Sequence, residues 1–82
     1  MGDQELQSRI VVNPEIFGGR PIIRGRRLAV EHVLEMLALG SSVESILEGY
    51  EWLERDDIQA CLEFAYRLVA GERFLPVTAT SS

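Results

Sequence analysis

At Val30 the hydrophobic period of this chain changes, and that switch limits what it can fold into. Residues 9–29 are short β-branched pieces punctuated by glycine and proline. Arg9-Ile10-Val11-Val12-Asn13 is stopped by Asn13-Pro14, Gly18-Gly19 requires a turn, and Pro21-Ile22-Ile23-Arg24 follows. Gly25-Arg26 reads as a tight reversal and Arg27-Leu28-Ala29 as a third extended piece. Ile10 and Val12, with Ile22 or Ile23 opposite, predict a ribbon. A ribbon this small is unstable alone and must lie on helices or on a second subunit.

After the switch the period is helical. Val30, Val33, Leu34 and Leu37 share a face of a helix over residues 30–39, closed by Gly40. Val43, Ile46, Leu47 and Tyr50 form the stripe of a second helix over 42–50. Ser41 and Glu44 have the S-x-x-E spacing, which puts the cap at Ser41. The third helix, over 54–71, carries Ile58, Cys61, Leu62, Ala65, Leu68 and Val69 on one face and ends at Gly71. Asp56 and Asp57 in its first turn complement the helix dipole. The polar residues 1–8 read as a flexible N-terminus. Residues 74–82 form a tail that opens with the apolar run Phe74-Leu75-Pro76-Val77. The expected fold is mainly α: a three-helix, helix-turn-helix-like bundle with a short N-terminal β ribbon, one domain over 9–73.

Size and charge narrow the function classes. A chain of 82 residues with 46% hydrophobic content is generous in apolar surface for so small a core, and a homodimer is expected to absorb the excess. No apolar run approaches the roughly 18 residues of a membrane span. The polar start Gly2-Asp3-Gln4-Glu5 has no signal-peptide character, and the single cysteine fits a reducing compartment. A cytoplasmic protein is expected. His32 and Cys61 are the only candidates for nucleophilic or metal chemistry. One of each cannot complete a zinc site, and Cys61 falls in an apolar stripe where an inert thiol is the common outcome. No catalytic residues, cofactor or metal are expected.

The arginines carry the main functional signal. There is no lysine, and five of the eight arginines lie in residues 1–27, against three acids, for a net +2. Residues 28–82 hold three arginines against ten acids, a net of –7. A basic arm on an acidic body suggests a binding protein with one anion-facing edge. Arg20, Arg24, Arg26 and Arg27 in the arm are candidate DNA contacts, able to clamp phosphates bidentately or to pair with acids of the body. On the third helix, Arg55 and Gln59 are the base-reading residue types, although its acidic start would repel phosphate. Gly18, Gly19, Pro21, Gly25 and Gly40 are read as structural turn positions. Phe74, Leu75, Pro76 and Val77 are the candidate partner-binding strand, with self-packing as the equal alternative.

The residues Pro14-x-Ile16-x-Gly18-Gly19-Arg20-Pro21-x-Ile23-x-Gly25-x-Arg27-x-x-Val30, then Val33-Leu34, Gly40, Ile46-Leu47-x-x-Tyr50 and Leu53-x-x-x-Asp57-Ile58-x-Ala60, closely resemble the bacterial domain-of-unknown-function family 433. The resemblance spans roughly Arg9 to Tyr66. It implies a homeodomain-type helical core with an N-terminal β segment, and members that look like VapB-type antitoxins paired with toxins of PIN-like nuclease fold. It thus implies a homodimer that binds operator DNA and neutralises a PIN-like RNase toxin. Two departures bear on mechanism. Position 26 is Arg where the family usually has Thr, and the usual Tyr-Pro…Leu-Thr link reads Tyr50-Glu51…Leu53-Glu54. Glu54 is a weaker N-cap than Thr, so the third helix could begin as late as Asp56. The alternative function is an acidic protein–protein adaptor that binds no nucleic acid, its arginines forming only internal or dimer salt bridges.

Overall fold

The computed structural model describes the backbone of residues 3–72 and 77–78 and the side chains of residues 5–72. Its order is α1 (Asp3–Ser8), β1 (Ile10–Val12), a 3-10 turn (Phe17–Gly19), β2 (Pro21–Ile23), α2 (Val30–Ala38), α3 (Val43–Gly49), α4 (Arg55–Ala70) and β3 (Val77–Thr78). The protein is mainly helical, with a short antiparallel ribbon. β1 pairs with β2 in the register Ile10↔Ile23, Val11↔Ile22 and Val12↔Pro21. The predicted third extended piece reduces to one bridge, Ile22 with Ala29. On its other edge β1 pairs in parallel with β3, Val11 opposite Val77 and Val12 opposite Thr78.

The three predicted helices are present, and their ends show why they stop. Leu39 caps α2, and the chain then closes in a Schellman motif, Gly40 N–H donating to Leu37 O at 3.0 Å and Ser41 N–H to Met36 O at 3.0 Å. That use of Ser41 moves the cap of α3 one residue on, to Ser42, whose Oγ accepts from Ser45 N–H at 3.1 Å. The cap expected at Ser41 is therefore corrected to Ser42. α4 begins at Arg55 with Glu54 as N-cap, not at Asp56, because the Asp57 carboxylate reaches back to accept the Glu54 N–H at 2.8 Å.

Two further expectations are overturned. Residues 3–8 are not a flexible terminus but the short helix α1, which lies against α4. Leu6 anchors it, buried in the core, and Arg9 N–H closes it on Leu6 O at 3.1 Å. Second, the apolar face of α4 is only half used. Ile58, Ala60 and Cys61 are buried among Ile10, Ile23, Val30, Val33 and Ile46, yet Leu62, Leu68 and Val69 are exposed. At 1.5 Å per residue α4 is about 24 Å long against about 14 Å for α2 and about 10 Å for α3, so its last turns overhang the helices packed beside it.

Candidate functional site

Asp57 is the one fully buried charged side chain among the described residues, and the arm is built onto it. Its Oδ1 accepts from Arg9 Nη1 at 2.9 Å and from Arg24 Nε at 3.0 Å; its Oδ2 accepts from Arg24 Nη2 at 2.8 Å and from the Glu54 N–H at 2.8 Å. Four donors saturate the carboxylate, and the Arg24 fork meets it in the bidentate geometry that suits guanidinium. Arg9 precedes β1 and Arg24 follows β2, side by side at one end of the antiparallel ribbon, where Arg24 N–H donates to Arg9 O at 2.8 Å, so one carboxylate on α4 ties both strands of the arm to the helical body. Arg9 also donates to Glu54 Oε1 at 2.8 Å, and these carboxylates raise its pKa above the ordinary arginine value against the opposing effect of burial.

Arg24 reaches Asp57 because of an unusual turn. Arg24 and Gly25 have φ of 49° and 74°, and Arg26 N–H donates to Ile23 O at 2.8 Å, which together define a type I′ turn. Glycine or asparagine usually fills both central positions. An arginine with positive φ is strained by about 1–2 kcal/mol, and its ion pair with Asp57 holds it there. The turn is packed on Trp52: Arg24 Nη2 donates to Trp52 O at 2.7 Å, and the guanidinium carbons of Arg24 and Arg26 lie 5.4 and 4.8 Å from the centre of the indole. Tyr50 meets the same indole edge-on at 6.3 Å.

The other expected DNA contacts are dispersed. Arg20 pairs with Glu31 of α2 at 2.6 Å, and Arg55 with Glu44 of α3 at 2.8 Å, both on the surface. The Arg55 bond lowers the Glu44 pKa. Gln59 is exposed on the outward face of α4, where helical spacing aligns it with Arg55, Leu62, Tyr66 and Val69. Arg26 is exposed, stacked on Trp52 and without an acidic partner, and Arg27 is exposed with neither an acid nor a ring as partner among the described residues. Gly18, Gly19, Gly25 and Gly40 all have positive φ, as turn positions require, and Pro21 opens β2. Of the candidate partner-binding strand, Phe74, Leu75 and Pro76 lie outside the described residues, and the Val77 backbone is paired with β1.

An open groove of about 760 Å³ lies beside the first turns of α2. Leu28 and Ala29 contribute apolar lining; Arg20, Arg27, Glu31 and Glu35 contribute charge, His32 an imidazole, and Phe17 and Tyr50 rings. Phe17 has φ of 50° and is 48% exposed. For an aromatic residue that backbone conformation costs about 1–2 kcal/mol, and here it leaves the ring at the groove rather than in the core. His32 Nδ1 lies 3.5 Å from Glu35 Oε1. Cys61 is elsewhere, fully buried, its thiol pushed up to about 12 chiefly by burial. Among the described residues no three His, Cys, Asp or Glu side chains cluster as metal ligands, and no helix is long and apolar enough to cross a membrane.

Arg9, Asp57, Trp52, Phe17 and Tyr50 are thus the site residues that composition and spacing passed over. The signal for the hub was the possibility that the arm's arginines pair with acids of the body; nothing in the sequence singled out Asp57 among ten such acids.

A mainly helical domain of four helices, α1–α4, with a ribbon stapled by arginine to α4, is the class that this fold and site define. The chain belongs to the family described as protein of unknown function (DUF433), whose model matches residues 10–65. It is 36% identical over 56 residues to an uncharacterized protein, y4eO, from Sinorhizobium fredii; the match covers 68% of this chain and spans only 25% of that relative's length. The fold resembles the crystal structure of a DUF433 member protein from Anabaena variabilis with a TM-score of 0.73 and 25% identity, over 83% of this chain and 67% of that one.

Proposed function

We propose that this protein acts by binding another protein through its acidic helical surface, and that its arginine arm is a structural staple. The observation that supports this is the fate of the charges. Arg9, Arg20, Arg24, Arg55 and Arg67 all face acids of the same chain, whereas Glu48 and Glu51 of the α3–α4 edge are exposed without a cationic partner among the described residues. An acidic edge of that kind attracts a basic surface and repels phosphate. The antitoxin reading enters as the case in which the partner is a PIN-like ribonuclease, with a homodimer as the binding unit. Co-expression with the product of the neighbouring gene, followed by size-exclusion chromatography at increasing salt, tests it. A complex that salt weakens and that Glu48→Lys with Glu51→Lys disrupts is the expected result. A complex indifferent to both would contradict it.

Operator binding is the second reading, supported by the exposed Arg26 and Arg27 and by the outward Arg55 and Gln59. Arg24 drops out of it, because its guanidinium is already filled by Asp57. Titrating the DNA upstream of the gene, and scrambled DNA, at several salt concentrations separates the readings. Selective binding with a steep salt slope would favour the operator reading over the adaptor.

A further inference from the structure

None of Arg9, Arg24, Asp57, Glu48 and Glu51 lines the groove beside α2. From its chemistry we infer that it is a nucleotide site, taking a nucleobase with its phosphate. Arg20 is paired on Glu31, whereas the exposed guanidinium of Arg27 has no acidic partner among the described residues. A single phosphate meets that charge, and the exposed surface pair of Arg20 can open to add a second donor. The Phe17 ring stands exposed at the groove and Tyr50 lines it too, so a base has an aromatic face on which to stack. The Glu35 carboxylate is an acceptor available to a ribose hydroxyl. The volume, about 760 Å³, is within the range of small-ligand sites. An exposed phenylalanine with φ of 50° is the further indication. A turn alone is better served by Gly or Asn, so the ring is what the position retains.

The test is an NMR titration of the whole protein with adenosine, guanosine and uridine monophosphates, with adenosine and inorganic phosphate separately, and with a pentaribonucleotide. Saturable shifts at Phe17, Arg27, His32 and Tyr50, with a Kd near or below about 1 mM for a monophosphate and much weaker binding of either half, are expected. Phe17→Asn removes the ring while suiting the turn, and Arg27→Gln removes the charge from an exposed position. Each should weaken binding by about tenfold or more with the fold intact. Tighter binding of the pentanucleotide would identify a strand as the source of the nucleotide; equal binding would identify the free nucleotide. Shifts absent at high millimolar ligand, shifts that phosphate alone reproduces, or affinities unchanged in both folded variants would overturn the assignment.

Discussion

Asp57 shows how far one residue's environment departs from its composition. In the sequence it is one of two neighbouring acids at a helix start; in the fold it is wholly buried and bears two arginines and a backbone N–H. Replacing a buried ion pair by apolar groups is often neutral, but removing one partner strands the other. Asp57→Asn is therefore expected to cost about 3–5 kcal/mol in urea unfolding, a large share of the about 5–15 kcal/mol that a domain holds. Phe17→Asn should move the other way, raising stability by about 1 kcal/mol as the left-handed strain is relieved. Cys61 supplies a pH dependence. Its thiol is raised to about 12 in the folded state, above the unfolded value of about 8.5. The stability it contributes is full below that unfolded value and is lost as pH rises through the folded one. Thiol labelling at pH 8 should then be slow until denaturant is added, and fast labelling in native buffer would contradict the burial.

Among the elements, α2, α3 and α4 were legible because their apolar residues recur at 3.6 spacing and glycine closes two of them; the predicted bounds differ from the structure by one residue at each revised end. The ribbon was legible from β-branched runs between Pro and Gly. α1 was not, because in six residues it has only one large apolar side chain, Leu6, and no period can be read from one. Leu6→Ala should accordingly cost about 2–5 kcal/mol in chemical unfolding, as for a core leucine; a change near zero would restore the flexible terminus. The end of α4 misled for the opposite reason. Leu62, Leu68 and Val69 fit the helical stripe, but burial needs a neighbour of matching length, and α2 and α3 are too short to provide it. Of the candidate site, the arginines were visible as a cluster, yet their direction was not. A type I′ turn at Arg24-Gly25 turns Arg24 inward onto Asp57, a contact 33 residues away in sequence.

For the whole molecule, the asymmetry of charge that looks like a DNA-facing arm on an acidic body becomes a joint between the two. Arg9 and Arg24 neutralise the start of α4 from within, and Glu48 and Glu51 face outward on α3 and the loop after it. The arm and body should then unfold as one cooperative unit, with a single transition by fluorescence of Trp52 and by far-ultraviolet circular dichroism. The most direct test is a double-mutant cycle on Arg24→Ala and Asp57→Ala, read by urea unfolding. A coupling energy of about 2 kcal/mol or more is expected for partners in one buried network. Additive effects, with no coupling, would mean that Arg24 is free of Asp57 and would return the arm to solvent and to DNA.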